Sequence, residues 1–527
     1  MPACLVTGRC DDSGAGIQIR TIRGDDGLRV IPQQFTGPEI AIDIATHRLA
    51  LGGKTAVNHD RPARRKQGCE IRGLCVTILH MHRPLSLHIL PFVLILAGCN
   101  APPVSPSLAS VPFVPDSGSV AVRCGTLIDG LADDAAENRL VIIRDGRFER
   151  IDSGEAPPPA DLPYLDLGEL TCLPGLINTH VHLADIPERA SDYSVYYRLT
   201  DTDNARTTTE NAEVTLLTGF TTVRNVGDYF PQFVYDVRDR ISAGNALGPR
   251  IQAAGPYLTI PGGGGDMVLP GYDESEIPAA LRTGVASTPE EFEDAARRAV
   301  ANGADFLKVM ASGAVFSFGI EPGSPEMHQD DIEAVVKVAR EHGLQVTAHV
   351  HSAQSGKDAV LAGVDSLEHA SLLDDEAIAL VAEHNVTLSM DVYNGTYTEN
   401  VGREQGYPEI VMQRNFDTTE AQRIVFEKAY ALGIPITYGT DGAVLPHHMG
   451  GWQFGIMVER GMKPMDAMKS ATTLAADHMG MPDVGAVEVG RLGDLVAVRG
   501  NPLEDQEVMK DVAVVIKGGL AFKLPSE

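Results

Sequence analysis

The chain has 527 residues, is 43% hydrophobic and carries a formal net charge of −28, with 43 Lys and Arg against 71 Asp and Glu. That length buries a large core and exceeds one small domain. The acidic balance, with no long basic run in the main body, argues against a nucleic-acid partner, because phosphate binding needs clustered positive charge.

In chain order, residues 1–80 mix Gly, Arg and Asp without sustained periodicity and hold four of the seven cysteines. No stable fold is expected there. The segment lies either upstream of a true start at Met81 or forms a disordered extension. Next comes "MHRPLSLHILPFVLILAGCNAPPVSPS". Arg83 supplies positive charge, and the apolar run from Leu85 to Leu96 is too short to span a bilayer but suits the core of a signal peptide, with a buried apolar helix as the alternative. Leu96-Ala97-Gly98-Cys99 resembles a bacterial lipoprotein signal over 81–98, in which Cys99 takes lipid and becomes the new N-terminus. Residues 99–118 read as a tether. The expected location is the periplasmic side, anchored to the outer membrane. Removing residues 1–98 leaves a chain near −32, because they carry four more basic than acidic residues. Cys124 and Cys172 then either pair in an oxidising compartment or stay as buried thiols.

From residue 119 short β-type runs appear: "SVAVRCGTLIDG", "RLVIIRDGRFERI", "YLDLGELTCLPG". The texture returns in "GDLVAVRGNPLED" and "DVAVVIKGGLAF". The spacing predicts a small β-sandwich domain built from both chain ends, 119–173 and 482–527. Between them, 174–481 alternates eight strands with helices. The strands are "GLINTHVHL", "FTTVRNVGD", "RIQAAGPYL", "DFLKVMASG", "QVTAHVHS", "SLEHAS", "TLSMDVY" and "PITYGTDG". The helical pattern "TPEEFEDAARRAVANG" opens on a Thr cap and acidic residues and stops at Gly303. The expected fold is α/β, a TIM-like (β/α)8 barrel. A doubly wound open sheet would want a Gly-rich first turn for phosphate, and the first turn has none.

In such a barrel catalytic groups sit at the C-terminal ends of strands. The first strand ends on His180 and His182, the fourth carries Lys308, the fifth His349, the sixth His369 and the eighth Asp441. Side chains two apart on a strand share a face, with Cα atoms roughly 6.5 Å apart, so His180 and His182 can reach one cation while Val181 packs behind. Lys308 lies in an apolar run beside these groups, where an ammonium would be desolvated and repelled. Its uncharged amine could take up carbon dioxide as an anionic carbamate, or a long stem could carry the head to water.

The order HxH, Lys, His, His, Asp resembles the amidohydrolase superfamily, in its binuclear-metal branch with a carboxylated Lys. The resemblance runs from about Thr126 to Lys517 and includes "LPGLINTHVHL", "FLKVMASGA", "GVDSLEHAS" and "VGRLGDLVAVRGNPLED". It is nearest to imidazolonepropionase-like, Xaa-Pro-dipeptidase-like and ochratoxin-type amidases. The resemblance implies two divalent ions, zinc for preference. His180, His182 and Asp441 would hold one, His349 and His369 the other, and carboxylated Lys308 would bridge them. A metal-bridging hydroxide would attack the carbonyl, with Asp441 taking the proton and passing it to the leaving amine.

The expected activity is hydrolysis of a C–N bond in an N-acyl amino acid or dipeptide-like small molecule. A cyclic-amide or lactone hydrolase on the same centre and a non-catalytic ligand-binding lipoprotein are the alternatives, and self-association stays open. His351, Tyr393 and His447 are candidate substrate contacts, and Arg224 is a structural ion-pair former. His447 and His448 share a loop after the eighth strand that either forms part of the pocket or is solvated. "LTIPGGGGDM" reads as a mobile loop. Relatives in the dipeptidase branch carry a carboxylate-holding His there, where this chain has Gly264, which points to broader or bulkier substrates.

Overall fold

Runs of β-branched residues cut by Gly and Asp turns build both ends of the main body, and longer strand–helix alternation fills its middle. The computed structural model describes residues 5–9, 16–24, 27–32 and 118–525. The expected signal at 81–98, Cys99 and the tether up to residue 117 lie outside the described residues.

Within Met1–Pro102, Leu5–Arg9, Gly16–Gly24 and Gly27–Pro32 form an antiparallel three-stranded sheet. The expectation of no stable fold over 1–80 therefore meets a local exception, and the alternation in "GIQIRTIRG" is its sequence basis.

In Pro103–Glu527 the two chain ends meet in one seven-stranded sheet. Tyr164–Pro174 runs parallel to Val120–Leu127 on one side and antiparallel to Leu495–Arg499 on the other, in register from Leu495 with Pro174 to Arg499 with Leu170. Hydrogen bonding thus joins into one continuous sheet what was expected as a two-sheet sandwich, because this strand pairs along both edges. Its apolar face closes over Val122, Val141, Phe148, Leu167, Leu495 and Val514. Cys124 and Cys172 are disulfide-bonded, with Cα atoms 5.8 Å apart, which settles the open alternative.

The sheet leads straight into the site. After Pro174 and Gly175, the strand Leu176–Val181 begins, and Gly175 N donates to the Asp494 carbonyl at 2.9 Å. Asp494 also takes a two-pronged ion pair from Arg250. Eight strands follow where the sequence predicts them: Leu176–Val181, Phe220–Asn225, Arg250–Ala253, Leu307–Met310, Val346–Ser352, Ser366–Leu372, Thr387–Met390 and Ile436–Tyr438. The first three and the last five pair in parallel as two sheets. Single parallel bridges, Leu258 with Val309 and Val181 with Gly442, link the two sheets at both edges.

Helices pack outside the strands through faces read from the sequence. Pro289–Ala301 is capped by Thr288, which accepts from Glu291 N, and buries Phe292, Ala295, Ala296 and Ala299 at helical spacing. Gly303 follows with φ 101°. Among the described residues, no helix is long and apolar enough to cross a membrane.

Candidate metal centre

The strand ends gather the predicted groups around one cavity. His182, Lys308, His349, His351, His369 and Asp441 line it, and His180 sits just beneath. His180 and His182 do share a face: their Nε2 atoms are 3.3 Å apart, while Val181 joins the apolar core. Asp441 Oδ1 lies 3.4 Å from His180 Nε2 and 3.2 Å from His182 Nε2. His349 and His369 meet with ring centroids 4.6 Å apart, and His180 and His369 with centroids 4.7 Å apart.

The tautomers follow from the outer partners. His180 Nδ1 donates to Glu368 Oε2 at 2.7 Å, and His182 Nδ1 donates to the Gly227 carbonyl at 2.6 Å. His369 Nδ1 donates to Asp391 Oδ1 at 3.0 Å, and His349 Nε2 to the Gly313 carbonyl at 3.3 Å. Each imidazole therefore turns a lone pair toward the centre. Two facing Nε2 lone pairs with a carboxylate oxygen beside them repel one another unless a cation lies between, so the donor set fits a metal. Ligand atoms of His180, His182 and Asp441 form one compact group, and those of His369, Asp391 and Asp441 a second.

Two further features mark the site. His369 and Asp441 stand at φ 66° and 52°, in the left-handed region that side chains seldom adopt. Such conformations cost on the order of 1–3 kcal/mol and collect at functional positions. Lys308 is 1% exposed. Burial pushes its amine down to about 8, against the opposing pull of Glu368 and Asp441. Burial, then His369, His351 and Lys308, holds His349 well below the usual imidazole value.

Sequence reasoning missed the carboxylates behind the ring. Glu368 is fully buried, bonded to His180 and 3.6 Å from Arg224 Nη1, so Arg224 is the expected ion-pair former. Asp391 orients His369 and accepts from Gln422 Nε2 at 2.6 Å and Asn394 Nδ2 at 3.1 Å. Asp391 lies two beyond Ser389, whose hydroxyl faces Thr179 inside the strands at 3.0 Å.

Of the weaker candidates, His351 lines the cavity, with Nδ1 2.9 Å from Ser371 Oγ and its ring stacked 5.0 Å from that of His369. Gly264 also lines it, and a Cβ there would stand 2.9 Å from the Ala314 Cβ, so no side chain fits. Tyr393 and His447 stand apart from the residues that line this cavity. Tyr393 precedes the helix Asn394–Gln405 and packs against Trp452 with ring centroids 5.9 Å apart, off the cavity wall. His447 is buried beside Thr215, with Nδ1 3.3 Å from Oγ1, and also lies off the wall. His448 is exposed. The outer wall is aromatic, built from Tyr193, Tyr196, Tyr229, Tyr257 and Phe316.

Comparison with known proteins agrees with this layout. Residues 171–521 match the model of the Amidohydrolase family. An ochratoxinase of Aspergillus niger is 28% identical over 456 residues, covering 80% of this chain and 91% of that protein. A solved Xaa-Pro dipeptidase with methionine bound in its active site is similar at TM-score 0.73 and 34% identity, over 77% of this chain and all of that one. The solved Aspergillus niger ochratoxinase is similar at TM-score 0.68 and 25% identity, over 78% of this chain and 96% of that one.

Proposed function

The chain belongs to the amidohydrolase family and is a hydrolase of C–N bonds, and on that premise we propose that it cleaves the amide of an N-acyl amino acid or dipeptide-like substrate. The observation that carries this reading is the convergence of His180 Nε2, His182 Nε2 and Asp441 Oδ1 as facing lone pairs. His180, His182 and Asp441 would hold one divalent ion and His349 and His369 a second, with Lys308 as carbamate between them. Zinc suits imidazole and carboxylate donors. Bound ions would supply an acidified water and polarise the scissile carbonyl.

The protein's own groups do the rest. Glu368, Gly227 and Asp391 fix the imidazole tautomers, so the ligand nitrogens need no reorganisation. Asp441 turns Oδ1 to the imidazoles and leaves Oδ2 to take a proton from water and deliver it to the leaving nitrogen. The tyrosine and phenylalanine wall favours a bulky apolar substituent. The frame is read as a closed (β/α)8 barrel, supported by the two bridges that join the sheets at both edges. The anchor is part of the same proposal: Cys99 carries lipid and holds the enzyme on the periplasmic side of the outer membrane. The Cys124–Cys172 disulfide suits such an oxidising compartment.

The test is metal analysis of the purified protein and a hydrolysis screen over dipeptides, N-acyl amino acids, cyclic amides and lactones. Two equivalents of metal and turnover of linear amides support the reading. Turnover confined to lactones or cyclic amides, or a metal-free active protein, overturns it.

A further inference from the structure

Asn394, the first residue of the helix Asn394–Gln405, touches both carboxylates of the centre. Its Nδ2 donates to Asp391 Oδ2 at 3.1 Å and to Asp441 Oδ2 at 2.9 Å. Carboxylates accept, so the half of the amide lying between them is the nitrogen and the orientation is fixed. Its Oδ1 is buried and has no hydrogen-bond partner, although the side chain lines the cavity and is 7% exposed. A buried carbonyl oxygen left unmatched carries its whole desolvation penalty, and such an atom in a cavity wall calls for a donor from outside the fold.

The position says which donor. Asp441 Oδ1 is turned to His180 and His182, which leaves Oδ2 for the proton that goes to the leaving nitrogen. That nitrogen must come within hydrogen-bond reach of Oδ2. Asn394 already holds Oδ2, and its own Oδ1 is carried on the same amide carbon as the nitrogen that does so. The unpartnered oxygen is therefore no more than one amide group away from the atom that the leaving nitrogen must approach.

Resting on the amide-hydrolase reading above, we propose that Asn394 reads the N–H of the scissile amide, its Oδ1 accepting that hydrogen. Secondary amides are favoured, and bonds whose nitrogen bears no hydrogen, such as an X–Pro bond or an N-methyl amide, are selected against. The same contact turns the nitrogen lone pair toward Asp441, where protonation is needed.

The experiment compares N-benzoyl-L-phenylalanine with N-benzoyl-N-methyl-L-phenylalanine on the metal-loaded protein. The wild type should prefer the N–H compound by at least about tenfold in kcat/KM, the worth of one good hydrogen bond. Asn394→Leu also removes the bonds to Asp391 and Asp441 and should slow both compounds. The loss should fall harder on the N–H compound, so that the preference collapses toward one. Asn394→Ser is read the same way should Asn394→Leu fail to fold. A merely structural Asn394 would lower both rates alike and keep the ratio, which overturns the proposal, as does equal turnover by the wild type. No turnover of either compound overturns the amide reading itself and takes this proposal with it.

Discussion

The strand-end cavity and the seven-stranded sheet bury their residues in opposite ways. The sheet encloses aliphatic side chains and one disulfide, and its charges pair at the rim, as Arg144 does with Glu149 and Asp161. The cavity encloses imidazoles, a lysine and carboxylates, two of its groups in left-handed backbone and one with an unmatched oxygen. Burying such groups is unfavourable unless each is partnered. Stability and chemistry are therefore separated in space: substitutions in the cavity should remove activity and spare the fold, and those in the sheet should do the reverse.

The largest effect should come from the proton carrier. Asn tolerates left-handed backbone, so Asp441→Asn keeps the local conformation while losing the acid–base group. Turnover should fall by a factor on the order of 100 to 10,000, with much of the metal retained and the thermal midpoint not lowered. Lys308→Ala should lose metal together with activity, and a short carboxylic acid should partly restore the second variant only. Mass spectrometry for metal, with turnover on any substrate from the screen, reads both. Full activity in Asp441→Asn would move the proton to another group, with His351 next in line.

The sheet supplies the converse. Cys124 and Cys172 close a loop of 48 residues, which the chain-entropy model values at about 4 kcal/mol. The double variant Cys124→Ser and Cys172→Ser should lower the denaturation midpoint, while kcat/KM at 25 °C stays within about twofold. A large loss of kcat/KM in protein still folded would show that the two regions are not separable.

Sequence pattern carried much of this contrast. All eight strands were legible because each is an apolar run ending in polar residues, and the ligands were legible because they fall at those ends. The five β-type runs read from the sequence cover all seven strands of the sheet, but its single hydrogen-bonded topology was not legible, since pairing along both edges of Tyr164–Pro174 leaves no local mark. Glu368 stayed hidden for a different reason. Strand alternation would turn it away from the face of His369. The left-handed backbone at His369, φ 66°, breaks that alternation and lets both neighbours serve the site. Tyr393 was read as the end of the seventh strand, but that strand stops at Met390 and Tyr393 stands at the start of a helix.

Glu368 is buried as deeply as the sheet core yet acts on the cavity. Glu368→Gln keeps an acceptor for His180 Nδ1 but leaves Arg224 without its counter-charge. Zinc affinity should fall about 10- to 100-fold, the usual worth of such an outer partner. Calorimetric titration of the metal-stripped protein measures it, and an unchanged affinity would reduce Glu368 to a packing role.

The mildest effect, taken per pH unit, comes from Glu326, which is 5% exposed beneath the Gly-rich loop and accepts from Gly264 N at 2.6 Å. Burial pushes its carboxyl from 4.5 up to about 8. Between those values the folded state keeps a proton that the unfolded chain has lost. The stability tied to this group is therefore full below 4.5 and drains away as pH rises toward about 8, by up to about 1.4 kcal/mol per unit. Glutamine has no proton to lose. Urea midpoints of wild type and Glu326→Gln should thus differ by a constant at acid pH and diverge in favour of the variant as pH rises through that window. A difference that stays constant across the window would show that Glu326 is solvated and ionises in the folded state as it does in the unfolded chain.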